Sequence, residues 1–281
     1  MKGTIKKFLV GASVVAGVSA MACTPAHAAL LVPQNITFNT TNYRTYTGGS
    51  NGSFIPNNST AAISALTDND PTSNVELWYT TENPTANVGF NATLGGYNVS
   101  VTSVTGADWA NFGNQWLTDL LTHYGITLPQ PVYNGVLQHL ITIGGLPRAN
   151  DPDVGAFTYD TDSGKFDLTL VGHYDLHQSI ANYLSSEPSS LWKTFIKQYT
   201  ALPFPLQASE IAKVTIDGDT HYAYSFSATN SGIALPDPLH SFDGLYHWDP
   251  IVKKSVPEPS AVLGLMAVGG LFVATRKRKK S

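Results

Sequence analysis

Near residue 105 the spacing of apolar side chains changes from every second residue to every third or fourth, and one type of element cannot satisfy both periods. Before that point, runs such as Asn35-Ile-Thr-Phe-Asn39, Val75-Glu-Leu-Trp-Tyr79 and Tyr97-Asn-Val-Ser-Val101 alternate β-branched or aromatic residues with polar ones. Such runs read as half-buried strands of a sandwich or jelly roll. Gly48–Gly52 and Gly95-Gly96 supply turns between them. Beyond Asp108, the residues Trp109, Phe112, Trp116, Leu120, Leu121 and Tyr124 fall three and four apart and predict one buried helix face ending near Gly125.

Further helices are expected at 134–143, 176–185 and 190–199. Hairpins are expected at 156–170, turning through Thr161–Gly164, and at 212–226, turning at Asp217–Asp219. Two helices followed by a hairpin thus occur twice, without enough identity to assert a duplication. The segment 230–252, rich in Gly, Pro, Asp and His, reads as irregular chain packed on by Phe242, Tyr246 and Trp248. The expected class is α+β: a β-rich, sandwich-like region at 29–104, then helices and β-hairpins at 105–252, the two forming separate units or one globular domain.

Both ends differ from this body. Met1-Lys2 and Lys6-Lys7 precede the apolar run Phe8–Ala22, and Ala26-His27-Ala28 offers small residues for cleavage before Ala29. That order is a secretory signal peptide spanning 1–28. A lipoprotein signal acylated at Cys23 is the competing reading, but Ala20-Met21-Ala22 makes a poor lipobox. Cleavage after Ala28 would remove Cys23, the only cysteine, so the mature body forms no disulfide. A body of this length buries an adequate core without one.

At the other end, Lys253–Pro259 is a linker whose two prolines disfavour helix before them. It is followed by a short transmembrane helix at 260–275 and a basic tail at 276–281. The fifteen uncharged residues 261–275 span only ~22 Å as a helix, less than the ~30 Å hydrocarbon core. Snorkelling by the five cations Arg276–Lys280 extends the reach, and the positive-inside rule keeps that end cytoplasmic.

Val256-Pro257-Glu258-Pro259-Ser260, the hydrophobic stretch and the Arg276-Lys277-Arg278 cluster together resemble the PEP-CTERM sorting signal of bacteria that make exopolysaccharide. The resemblance implies recognition by a membrane-embedded exosortase, cleavage near the motif, and transfer of the body to the cell surface or extracellular matrix. Parts of the body also resemble exported PEP-CTERM proteins of cyanobacteria that have no settled activity. The stretches carrying that likeness are Ala65–Leu77, Asp151-Pro-Asp153 with Gly172-His173, and Gln207–Glu210 leading into Lys213-Val-Thr.

Between Ala29 and Ser255 the chain carries eight basic residues against nineteen acids, a net charge of −11. Such a surface repels nucleic-acid phosphates and anionic lipid headgroups. It favours solubility and divalent cations. No glycine-rich phosphate loop, nucleophile elbow or usable cysteine is present.

Metal ligation is the remaining chemistry. On an extended strand His173, Asp175 and His177 would share one face and could hold zinc or iron with a fourth group, with His240 and His247 as possible donors of it. Equally, Asp175 could cap a following helix. Asp68 and Asp70, like Asp160 and Asp162, offer oxygens suited to calcium, although neither pair completes an EF-hand loop and both suit turns. The expectation is therefore a non-enzymatic surface or matrix protein with no obligatory cofactor, binding exopolysaccharide or other matrix components, with calcium as the candidate ion. The alternative is an extracellular metal-dependent hydrolase using His173, Asp175 and His177.

Overall fold

The computed structural model describes residues 29–47, 53–56, 58–70, 72–81, 83–146, 148–186, 189–199, 201–232 and 243–251. The first half holds strands β1 (Leu30–Leu31), β2 (Gln34–Phe38), β3 (Tyr43–Thr47), β4 (Ser53–Pro56), helix α1 (Ser59–Thr67), β5 (Asn74–Leu77), β6 (Gly89–Leu94) and β7 (Tyr97–Thr102). Helices α2 (Trp109–His123) and α3 (Gln130–Ile143) follow, then β8 (Asp153–Asp160) and β9 (Lys165–Gly172). The chain continues through α4 (His177–Ser186), α5 (Ser190–Tyr199), β10 (Ala212–Ile216), β11 (Asp219–Ala223), β12 (Ala228–Asn230) and β13 (Gly244–Trp248).

These strands form two antiparallel sheets. One is ordered β12-β13-β9-β8-β5-β3-β4, with β1 added to the far end of β8; the other is β11-β10-β7-β6-β2. Both draw strands from each side of residue 105, because β7 pairs with β10 and β5 with β8. The alternation written into the strands puts Phe90, Ala92 and Leu94 inward while Asn91 stays exposed. Val99, Val101, Val214 and Ile216 add to this inner face and meet Val75, Val154, Phe157, Leu168, Leu170 and Tyr246 of the larger sheet in one core. Two sheets sharing a core face to face make a sandwich.

A second core lies among the helices. Trp109, Phe112, Trp116, Leu117, Leu120 and Leu121 of α2 pack with Val136 and Leu140 of α3, Phe195 and Ile196 of α5, and Ile211 and Phe226. The stripe expected on α2 is therefore buried as spaced. Gly145, at φ 97°, lies so close to the Trp109 ring that a Cβ there would fall 2.0 Å from its Cε2 and Nε1. Trp109 in turn donates its Nε1–H to the buried Asn150 Oδ1 at 2.8 Å.

Two elements depart from the sequence reading. Helix α1 interrupts the region expected to be β-rich; Asn58 Oδ1 caps it by accepting from the Thr60 and Ala61 amides at 3.0 and 3.3 Å, and Ala62, Ala65 and Leu66 bury its inner face. Its small side chains give a faint period, which burial against the sandwich completes. Within 230–252, read as irregular, β13 forms an interior strand between β9 and β12. Tyr246 is fully buried there, whereas Phe242 lies outside the described residues. Among the described residues no helix is long and apolar enough to cross a membrane, and the expected span at 260–275 lies outside them.

Candidate functional site

The segment His173–His177 does not continue as a strand, because β9 ends at Gly172 and α4 begins at His177. The same-face argument for its side chains therefore lacks its premise. Asp175 Oδ1 accepts from the His177 amide at 3.1 Å and the Leu206 amide at 3.2 Å, and it lies 2.6 Å from His177 Nδ1. Although burial opposes it, those bonds hold the Asp175 carboxyl below its usual range. The bond from the amide two residues on is an Asx turn leading into α4. Burial lowers the pKa of His173, and its carbonyl accepts from the Tyr246 hydroxyl at 2.5 Å.

His247 stands opposite Thr169 on β13 and meets Asp167 Oδ1 at 2.9 Å. The four residues from Thr169 to His173 put it about 13 Å along the strand direction from His173. His240 lies outside the described residues. Asp68 Oδ1 accepts from the Asp70 amide at 2.8 Å, and Asp70 Oδ1 from the Thr72 amide and hydroxyl at 3.0 and 2.7 Å, which is turn chemistry. Asp160 likewise accepts from the Asp162 amide and from Ser163. Among the described residues, no three His, Cys, Asp or Glu side chains are grouped so as to hold a metal ion.

Val256, Pro257, Glu258, Pro259, Ser260, Arg276, Lys277, Arg278, Ala26 and Ala28 all lie outside the described residues. The places where the body meets those two ends are described, and they coincide. Ala29 donates to Thr161 Oγ1, Leu30 pairs with Asp160, and Ile251 bridges to Lys165, whose ammonium meets Asp249 at 2.7 Å. Both ends therefore leave beside the β8–β9 turn. Leu30 and Ile251 are exposed there, at 53% and 58%.

Sequence reasoning missed a set of buried carboxyls. Glu76 stands opposite Asp153 across the β5–β8 pair, so both project to the same face. Glu76 Oε2 accepts from the Tyr46 hydroxyl at 2.8 Å, and Glu210 Oε2 from the Asp153 amide at 3.0 Å. Asp151 and Asp153 are each 6% exposed. Burial first, then Asp153, Asp151 and Glu76, push the Glu210 carboxyl well above its ordinary value. The available signal was that Ala65–Leu77, Asp151–Asp153 and Gln207–Glu210 carry one likeness together in the sequence, and Glu76, Asp151, Asp153 and Glu210 from them meet here.

The outer face of the five-stranded sheet has a different character. Thr37, Asn91, Ser100, Thr215 and Thr220 pair in register across all five strands and form one uncharged rung, about 19 Å wide at a strand spacing of about 4.8 Å. Thr93 and Asn98 begin a second rung, to which Asn35 adds an amide by donating to Thr93 Oγ1 at 3.2 Å.

Residues 255–279 match the PEP-CTERM protein-sorting motif. That motif implies an exported, surface-directed protein processed by an exosortase-type enzyme. No curated protein and no solved structure matches the chain.

Proposed function

We propose that the chain is a non-enzymatic surface or extracellular-matrix protein. It is held in the membrane by 260–275 until cleavage near Pro257–Pro259, and its body then binds a neutral exopolysaccharide. The sorting motif carries this reading, since it implies an exported, surface-directed protein. The exit of both ends at one pole supports a held precursor: the body can fold while a signal peptide and a C-terminal span are both in the same membrane. In that arrangement the helical layer and the outer sheet face are free of the anchors.

The rung of Thr37, Asn91, Ser100, Thr215 and Thr220 is the face suited to the ligand. Hydroxyls and amides both donate and accept, which matches a polyhydroxylated chain. The surrounding acidity disfavours polyanions. Calcium bridging is an accompanying proposal.

The test is retention of the full chain on exopolysaccharide from the producing organism, with and without EDTA. Retention that falls about tenfold or more in a Ser100→Lys, Thr215→Lys variant supports the face, since two charges would disrupt the neutral rung at a cost of about 1.4 kcal/mol or more. Loss of retention in EDTA supports calcium. No retention of the wild-type chain under either condition overturns the ligand assignment while leaving the sorting assignment intact.

A further inference from the structure

We propose that Glu210, facing Asp153, Asp151 and Glu76, holds a proton in the folded protein and forms with them a pH-dependent clasp, which fastens the segment before β10 to the start of β8 and releases it in alkaline solution. Three chain segments meet at this point. The Asp153 amide donates to Glu210 Oε2 at 3.0 Å, the neighbouring Ile211 amide to the Ala149 carbonyl at 2.8 Å, and the Leu77 amide at the end of β5 to the Pro152 carbonyl at 3.0 Å. The same stretch joins the two cores, because the Leu206 amide is tied to Asp175 and the Gln207 amide to the Tyr124 hydroxyl. Opening it would remove these ties between the helical layer and the sandwich.

The groups facing Glu210 are Asp151 and Asp153 ahead of and within β8, Glu76 on β5, and Tyr246 on β13, with Tyr124 and Asp243 beyond that tyrosine. Tyr46 binds Glu76, and the Arg44 guanidinium lies beside Tyr46. Arg148, near His173, is the other cation of these segments. Even with both arginines charged, four ionised carboxylates would leave an excess of negative charge in a desolvated space. The interior therefore favours a carboxyl that stays protonated. Glu210 as a residue is half-buried, but its carboxyl is turned in against the buried Asp153 amide, and burial raises its pKa well above the ordinary 4.5. Burial also raises the pKa values of Tyr46, Tyr124 and Tyr246, so these stay neutral while Glu210 ionises.

A raised pKa in the folded protein fixes the sign. The contribution of Glu210 is complete below about 4.5 and is lost as the pH rises through its folded value. Asn74, 1% exposed on the same face as Glu76 and with neither amide atom hydrogen-bonded, leaves polar capacity beside the carboxylates for a second arrangement.

Hydrogen exchange of the full chain in detergent, followed from about pH 5 to about pH 9 and corrected for the intrinsic rate, tests the clasp. Protection over 149–154 and 206–211 is expected to fall by up to about tenfold per pH unit in the wild type, one proton being lost on opening. Glu210→Gln, which keeps an acceptor and has no proton to lose, is expected to stay protected throughout. Equal slopes in the two proteins, or a flat wild-type profile, would overturn the proposal. Should the variant not fold, infrared spectroscopy of the wild type decides: a protonated-carboxyl stretch at neutral pH that disappears in alkali is expected, and its absence refutes the retained proton.

Discussion

Replacing Asp108 by Asn would remove the charge that joins the two cores, and the structure gives the size of the loss. Asp108 precedes α2 and is 6% exposed. Its Oδ2 accepts from the Thr105 amide and hydroxyl, both at 2.8 Å, and from Asn87 Nδ2 at 3.0 Å. Its Oδ1 accepts from Lys213 Nζ on β10 at 2.9 Å and from the Tyr222 hydroxyl at 3.3 Å. Burial alone would raise its pKa, but those donors win, Lys213 foremost, and bring it from an ordinary 3.8 down to about 2. At 1.36 kcal/mol per tenfold, that corresponds to about 2–3 kcal/mol of stability. Asn offers one acceptor oxygen where five donors converge, so its amide nitrogen must face N–H or O–H groups. For a body of this size the expected fall in Tm at pH 7 is about 5–10 °C. Because the folded pKa is depressed, the contribution is present above 3.8 and lost as the pH falls through about 2. Thermal unfolding followed by circular dichroism should therefore show the wild type and Asp108→Asn converging in acid. A gap that stays constant down to about pH 2, or no gap at neutral pH, would refute the assignment of this carboxylate as the joint.

Two further substitutions separate packing from local geometry. Gly145→Ala is expected to cost about 3 kcal/mol or more in urea unfolding, because the new methyl meets the Trp109 ring, while Gly218→Ala, at the same φ of 97° but facing open space, should cost only about 1 kcal/mol; equal losses would contradict the packing argument. Asp175→Ala should lose about 1–2 kcal/mol, and Asp175→Ser should recover most of it if the residue acts by closing the turn into α4; a bound transition metal that disappears from the purified protein on this substitution would instead support the ligand reading.

The helices and hairpins were legible because their signals are local. The stripe from Trp109 to Leu121 already shows a helix face, and Asp217-Gly218, with φ of 47° and 97°, already shows a two-residue hairpin turn. Helix α1 was hidden because alanine and threonine write a weak period. Strand β13 was hidden because glycine and histidine surround it and its partner β9 lies some seventy residues earlier. The carboxyl cluster was less legible still. Glu76, Asp153 and Glu210 each look like ordinary polar residues in their own segments, and only the pairing of β5 with β8 and the return of the chain before β10 desolvate them together.

The sequence by itself determined the protein's address and its local elements, because a processing signal and a periodic run are both read over a few neighbouring residues. Which strands pair, why both ends leave at one pole, and which carboxyl must keep its proton were decided by the tertiary structure. Those outcomes depend on contacts between residues far apart in the chain and on the removal of water from the space they enclose, and neither is encoded at any single position.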